Sequence, residues 1–193
     1  SDVYKRQTQT AAGLYDERQK VDVTLFKAME TDDLFGLGMN EEYKDISFGL
    51  YASADLTAAD GSVILADGLL EVVSVSSEES GGYSASFASD LPFGSFYLKE
   101  LSTDSHYLPS GETFPFTFEY GGPSLAVVEI AANDGEAITN ELIRGEIRGL
   151  KTDENGTGLS GAVIGLFQSD ETEFTAENAL ATATSAAVSY THL

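Results

Sequence analysis

The chain has 193 residues, a formal net charge of -22 and no cysteine, and 42% of its residues are hydrophobic. That hydrophobic fraction is enough for a folded core, so the acidity does not indicate disorder. The charge argues against nucleic-acid binding, because a phosphate backbone would be repelled. The lack of cysteine excludes disulfides and a thiol nucleophile. No apolar run is long enough to cross a bilayer, so we expect no membrane insertion.

The two ends of the chain differ from the rest. The first residues, SDVYKRQ, and the last, VSYTHL, can be encoded by DNA strings that are reverse complements in shifted frames. Both strings match a transposase adapter used in preparing sequencing libraries. We therefore expect residues 1–7 and 188–193 to be adapter-derived, and exclude them from the fold prediction. The remainder is expected to be an internal part of a longer protein, with any export signal or anchor outside it.

Short strands separated by turn residues are predicted along the rest of the chain. The predicted strands are 21–28, 46–53, 69–76, 83–88, 95–102, 114–120, 125–131 and 136–142. Asn133-Asp134-Gly135 lies between VVEI and EAIT and predicts a hairpin there. One short turn of helix is predicted within 171–183. Many short strands at this spacing indicate an all-β sandwich.

An internal repeat predicts more than one domain. The segment FGLYAS at 48–53 recurs as IGLFQS at 164–169, and each copy follows a strand that ends in lysine, Lys27 or Lys151. Residues 28–45 form an insertion relative to the second copy. We therefore predict tandem repeats of which the second is truncated. The predicted units are a tail of a preceding repeat or linker at 8–18, a β-sandwich at 19–143, and an incomplete second repeat at 144–187.

Three predicted strands each place one polar residue on an otherwise apolar face. In VDVTLFK, alternation puts Lys27 on the face of the three apolar residues before it. Glu100 shares a face with the phenylalanine and leucine of FYLKE, and Asn140 with the isoleucine and leucine of ITNEL. Each has an ordinary explanation by itself. The lysine can reach water from a strand end, the glutamate can pair with a surface cation, and the asparagine can bond a turn.

Together, a lysine, a glutamate and an asparagine have a defined chemistry. A neutral lysine amine can attack the asparagine side-chain carbonyl, releasing ammonia and leaving an amide cross-link. Burial favours this reaction because it disfavours the charged forms of both lysine and glutamate. A protonated glutamate can polarise the carbonyl and pass protons to the leaving group. The reaction would occur once on the protein itself, so we predict no enzyme activity, no cofactor and no metal.

The chain resembles the Cna protein B-type, or SpaA-like, domains of Gram-positive surface adhesins and pilins. The matching stretches are VTLFK (23–27), ISFGLY (46–51), LPFGSFYLKEL (91–101) and AITNELIRGEIRGLKTDENGTGLSGAVIGLF (137–167). The resemblance implies a prealbumin-like, reverse-immunoglobulin β-sandwich in which Lys27 bonds to Asn140, with Glu100 as the catalytic proton shuttle. It also implies that Lys151 is the cross-link lysine of the second repeat.

The predicted function is a structural stalk or spacer repeat of a bacterial adhesin or pilin-like protein, extracellular and either wall-anchored or secreted. Its predicted partners are the neighbouring repeats of the same chain. The alternative is a ligand-binding adhesin module, in which loops such as 55–68 or 103–113 bind a host surface protein or glycan. A third possibility is a transthyretin-like accessory domain of a secreted enzyme.

Other chemistry is disfavoured by the residues present. His106 is the one histidine outside the predicted adapter-derived ends, and its neighbours do not suggest a catalytic triad. The stretch TDENG at 152–156 has residue types that bind calcium, but its spacing does not fit an EF-hand loop. It predicts a hairpin turn after Lys151 instead.

Overall fold

The computed structural model describes residues 18–57, 60–88 and 90–186, together with the backbone of 191–192. The predicted adapter-derived segment 1–7 lies outside the described residues, as does most of 188–193. The predicted tail 8–18 also lies outside them except for Arg18. The chain divides into two compact units, residues 1–143 and 144–193. That these units are tandem repeats stays a prediction.

The described part of the first unit consists of strands and two short 3-10 helices, Glu42–Asp45 and Asn133–Gly135. Its strands are β1 (Lys20–Met29), β2 (Ser47–Ala52), β3 (Leu56–Thr57), β4 (Val63–Ile64), β5 (Leu69–Ser74), β6 (Ser76–Ser77), β7 (Tyr83–Phe87), β8 (Gly94–Ser102), β9 (Thr113–Phe118), β10 (Val127–Ala131) and β11 (Ile138–Asn140). The predicted all-β class is confirmed. Strands β3 and β4 have two residues each, too few for an alternating pattern to predict them.

Two sheets form the sandwich. One has the strand order β10-β1-β7-β6, with β11 also paired to β1, and the other has the order β5-β2-β8-β9. Strand β1 runs parallel to both β10 and β11 and antiparallel to β7. The second sheet is antiparallel throughout. Strand β1 is therefore interior to its sheet, and β8 is interior to the other.

The core lies between the inward faces of these sheets, where alternate residues of each strand are buried. It includes Val21, Val23, Leu25, Phe48, Leu50, Phe87, Phe96, Leu98, Phe114, Phe116 and Phe118. The apolar inward residues of β1 are aliphatic, whereas β8 and β9 contribute mainly phenylalanine. Because both sheets supply large side chains, the sandwich has a continuous apolar core without disulfides.

The hairpin predicted at Asn133-Asp134-Gly135 is wrong. Strands β10 and β11 both run parallel to β1, so the three residues carry the chain from one strand to the next in the same direction. All three have positive φ, of 56°, 54° and 79°. The turn signal therefore predicted the local left-handed backbone, which Asn, Asp and Gly tolerate, but not the direction of the next strand.

In the residues that the structure describes, the parallel pairing fixes where the chain reaches and leaves the first sheet. Lys20, at the start of β1, lies opposite Val127, whereas Asn140, at the end of β11, lies opposite Met29 at the far end of β1. Ten residues of strand span about 30 Å. The chain thus enters at one end of β1 and leaves at the other.

The described part of the second unit contains four short strands, β12 (Arg148–Gly149), β13 (Val163–Leu166), β14 (Ala181–Thr184) and β15 (Thr191–His192). Strand β13 pairs antiparallel with β14, and β12 with β15. The helical turn predicted within 171–183 is wrong, because this stretch holds a simple turn at 176–178 followed by β14.

The same kind of local contact occurs within each of the two units. A Cβ built on Gly49 would lie 2.8 Å from Cε2 of Tyr51, and a Cβ built on Gly165 would lie 2.6 Å from Cε2 of Phe167. In each unit an aromatic side chain covers a glycine two residues before it. This contact corresponds to the FGLY and IGLF segments of the sequence repeat.

In the part of the chain that the structure describes, no helix is long and apolar enough to span a membrane.

We expect Leu25→Ala to lower the free energy of unfolding by about 2–5 kcal/mol, because it removes a large side chain from the packed core. Leu25 is 0% exposed, whereas Leu65 is 66% exposed. Leu65→Ala is therefore the matched control and should change stability by less than about 0.5 kcal/mol. Urea unfolding of the full chain measures both. Equal losses in the two variants would contradict the assigned core.

Candidate functional site

Lys27 points into the core from the inward face of β1. It is 2% exposed, and its backbone lies between Ile138 of β11 and Tyr83 of β7. The Nζ atom donates to Asn140 Oδ1 at 2.8 Å, to the Ile138 carbonyl oxygen at 2.9 Å and to the Ala28 carbonyl oxygen at 3.1 Å. A lysine ammonium has three N–H donors, so these acceptors satisfy it completely.

Glu100 enters the same site from the opposite sheet. It lies on the buried face of β8, after Phe96 and Leu98, and its side chain is fully buried. Its Oε1 atom lies 4.0 Å from Lys27 Nζ, and its Oε2 atom accepts the backbone N–H of Ser110. The lysine and the carboxyl group therefore face each other across the core.

Asn140, the last residue of β11, lies between the lysine and the glutamate. Its Nδ2 atom donates to Glu100 Oε1 and to Thr103 Oγ1, both at 2.8 Å. Its Oδ1 atom accepts from Lys27 Nζ. The carboxamide thus presents its oxygen to the amine and its nitrogen to the carboxyl group. Glu100 thus contacts the nitrogen of the amide, whereas the sequence analysis expected it to polarise the carbonyl group.

The three predicted residues converge from distant parts of the chain. Lys27 and Asn140 are 113 residues apart, and Glu100 and Asn140 are 40 apart. None of the ordinary explanations describes them here. The lysine does not reach water, the glutamate lies on an interior strand, and the asparagine side chain bonds to three other side chains of the site.

Burial changes the acid–base behaviour of Lys27. Loss of hydration lowers the pKa of Lys27 from 10.5 to about 8, and the nearby charge of Glu100 opposes this by raising it. Desolvation penalises the ammonium form, and an opposite charge favours it. The first effect is larger, so the amine of Lys27 loses its proton more readily than an exposed lysine would.

Residues 103–110, which we call the covering loop, close the site on the side of β11. Tyr107 is buried, and its hydroxyl donates to the Glu30 carbonyl oxygen at 2.9 Å. On either side of it, backbone bonds join the loop to the chain beyond Asn140, from Leu108 N–H to Glu141 O and from Ile143 N–H to His106 O. The covering loop therefore pairs with the residues that directly follow β11.

The covering loop supplies the site residues that the sequence did not predict, the Thr103 hydroxyl and the Ser110 N–H. Both lie beyond the end of β8, where alternation no longer indicates which way a side chain points. The sequence identified 103–113 only as a loop that could bind a ligand. No pattern in it distinguished a covering loop from an exposed one.

The remaining predicted residues lie elsewhere. Lys151 is exposed in the second unit, and the predicted hairpin turn after it is confirmed by a bridge between Thr152 and Gly158. His106 is exposed, with its Nδ1 atom 2.7 Å from Asp104 Oδ1. Among the residues that the structure describes, no three His, Asp or Glu side chains are grouped as metal ligands.

Comparison with known proteins identifies similar folds. No family model and no curated protein matches the chain. Among solved structures, the chain is similar to the Bacillus anthracis TIE protein, with 17% identity and a TM-score of 0.50 over 92% of this chain and 27% of that one. It also matches BcpA, the major pilin subunit of Bacillus cereus, with 15% identity and a TM-score of 0.34 over 68% of this chain and 31% of that one. A streptococcal ancillary pilin matches with 15% identity and a TM-score of 0.33 over 98% and 56%.

These similarities concern the fold. The chain spans about a quarter of the TIE protein, and at 17% identity the likeness shows a shared fold alone. The two pilins match with TM-scores below 0.5, so no functional argument rests on them. The predicted resemblance to SpaA-like, Cna protein B-type domains is confirmed as a resemblance in fold.

We expect Glu100→Gln to lower the pKa of Lys27 further below about 8, because it removes the charge that opposes the effect of burial. The comparison is made between Asn140→Ala and Asn140→Ala/Glu100→Gln chains, in which the Asn140 carboxamide is absent and the proposed bond to it cannot form. Carbon-13 NMR of labelled lysine side chains during a pH titration measures the pKa, with the exposed Lys99 as the reference signal. An unchanged or raised pKa of Lys27 would contradict the assigned pairing.

Proposed function

We propose that the first unit is a structural repeat of a Gram-positive surface or pilus protein, and that an amide bond between Lys27 and Asn140 joins its first and last strands. The observation that carries the proposal is the 2.8 Å contact between Lys27 Nζ and Asn140 Oδ1 inside a buried site that also contains Glu100. An extracellular location and neighbouring repeats as partners belong to the same proposal.

The reaction needs only the three side chains. The lone pair of neutral Lys27 Nζ attacks Asn140 Cγ, a new C–N bond forms, and the Cγ–Nδ2 bond breaks. Nδ2 leaves as ammonia after gaining one proton, and Nζ loses one proton as it becomes an amide nitrogen. Glu100 is placed to carry that proton, since its Oε1 atom is 2.8 Å from Nδ2 and 4.0 Å from Nζ.

Transfer of one proton within the Lys27–Glu100 pair produces both the neutral amine and the carboxylic acid that the reaction needs. Moving one proton from the Lys27 ammonium to the Glu100 carboxylate gives a neutral amine and a carboxylic acid without changing the total charge. Burial reduces the free-energy cost of this neutral form relative to the ion pair, because each separated charge lacks water around it. The fixed contact also replaces an encounter in solution, so an unactivated amide can react.

The bond would strengthen the unit against unfolding and against force. It closes a loop of 113 residues, and on the chain-entropy model such a loop contributes about 5 kcal/mol. A pulling force that enters at Lys20 and leaves after Asn140 would pass along β1 and through the amide. The hydrogen bonds that hold the other strands would not carry this force. A chain without cysteine thereby gains a covalent brace, as a stalk or spacer requires.

The proposal is tested by the intact mass of the chain. Spontaneous bond formation should remove one ammonia, about 17 Da, and proteolysis should yield a branched peptide that contains Lys27 and Asn140. Glu100→Gln should keep the full mass and unfold at a lower temperature. Glu112→Gln, at an exposed position, should react like the parent chain.

Two further controls identify the source of the mass loss. A cyclic imide at Asn155-Gly156 would also release one ammonia, so Lys27→Arg must abolish the loss if Lys27 is the nucleophile. A full-mass parent chain, or an ammonia loss that persists in Lys27→Arg, would refute the proposed bond.

We expect the rate of bond formation to fall above a pH of about 8, roughly tenfold per pH unit. The reactive pair holds one proton, on Glu100, while Lys27 is neutral. The pKa of Lys27 is lowered to about 8, so the pair loses its last proton as the pH rises through that value. The chain is synthesised in a short cell-free reaction and transferred into buffers from about pH 6 to about pH 10. Its intact mass is then measured over time. A rate that keeps rising above pH 8 would show that the Glu100 proton is not needed.

A further inference from the structure

We propose that Thr103 is a positioning residue for the amide-forming reaction, and that closure of the covering loop completes the reactive site. This inference rests on the proposed function. Thr103 does not exchange a proton or form a bond in the reaction. It holds the carboxamide of Asn140 in the orientation that the attack requires.

The orientation of the carboxamide follows from its partners. A lysine ammonium only donates hydrogen bonds, so the oxygen of the amide must face Lys27. The nitrogen then carries two N–H donors that need acceptors inside the core. Glu100 Oε1 takes one and Thr103 Oγ1 takes the other, both at 2.8 Å. With both donors held, Nδ2 cannot turn towards the amine, and Cγ stays beside Lys27 Nζ.

Thr103 matters most at the moment of reaction. When Glu100 carries the proton, one of its oxygens becomes a donor and the carboxyl group is a weaker acceptor for Nδ2. The Thr103 hydroxyl keeps its accepting lone pairs wherever that proton lies. It can therefore hold the leaving nitrogen next to Glu100 while the proton is transferred.

The covering loop places two contacts of the site together. Its first residue, Thr103, bonds Asn140, and the N–H of its last residue, Ser110, bonds Glu100 Oε2. Its middle is fixed by Tyr107 and by backbone pairing with 141–143, the residues that directly follow Asn140. Because this pairing joins the loop to the residues that directly follow Asn140, the contacts of Thr103 and Ser110 form together with the placement of Asn140 in the site.

The test compares initial rates of ammonia loss in full-length chains made by pulsed cell-free synthesis, stopped in acid at intervals and weighed by mass spectrometry. Thr103→Val keeps the shape of the side chain but removes the acceptor, and should slow the reaction about 10- to 100-fold. Thr103→Ser keeps the hydroxyl and should restore a rate near that of the parent. The matched control is Thr139→Val, because Thr139 is exposed on the strand that ends in Asn140.

A general loss of stability is separated from a positioning effect by a second measurement. The same Thr103 variants are made in a Lys27→Arg chain, where no bond can form, and their thermal unfolding is compared. We expect Thr103→Val and Thr103→Ser to unfold at nearly the same midpoint in this chain, although their reaction rates differ about 10- to 100-fold in the parent background. If Thr103→Val does not fold, Thr103→Ala takes its place at this half-buried position, again against Thr103→Ser.

The outcomes distinguish this inference from the proposed function. A parent chain that never loses ammonia refutes the cross-link itself. A parent chain that reacts, with Thr103→Val reacting as fast as Thr139→Val, overturns the role of Thr103 and leaves the cross-link standing. A slow Thr103→Val chain that Thr103→Ser does not rescue also overturns it, because the hydroxyl would then not be the group that matters.

Discussion

The contact between Lys27 Nζ and Asn140 Oδ1 is the constraint on which the organisation of the first unit depends. A buried lysine is costly unless its charge is matched or removed. Here β1 is held parallel to β11, so that the residue at the end of β11 can reach the amine, and β8 brings a carboxyl group from the other sheet. The apolar core around them supplies the dry environment that makes the charged state unfavourable. The fold and the proposed chemistry therefore both require β1, β8 and β11 to bring the amine, the carboxyl group and the carboxamide together.

The sequence predicted the three central residues because strand alternation is a local property. Once neighbouring residues show which face is apolar, the position of Lys27, Glu100 or Asn140 on that face follows from counting. Their convergence could not be obtained by counting, since the pairing of strands distant in sequence decides it. The prediction that the three side chains converge came from the resemblance to a family, and the structure gives the distances between them.

The features that the sequence did not predict lie where local patterns end. Thr103 and Ser110 belong to a loop whose course is set by pairing with residues beyond β11. The error at Asn133-Asp134-Gly135 has a related cause. These residues predict a left-handed backbone correctly, but β11 pairs with the stretch of β1 beyond β10, and that pairing sets the direction of the next strand. In both cases the missing information is the location of a partner strand.

The covering loop also has a consequence for the lifetime of the proposed amide. Hydrolysis of an amide requires a water molecule at the carbonyl carbon, and water has little access to the side chain of Asn140, which is 1% exposed. Ammonia, once it has left the site, is diluted into the surroundings and does not return at a useful concentration. The forward reaction is therefore effectively irreversible, and one closure of the loop would fix the strands for the life of the protein.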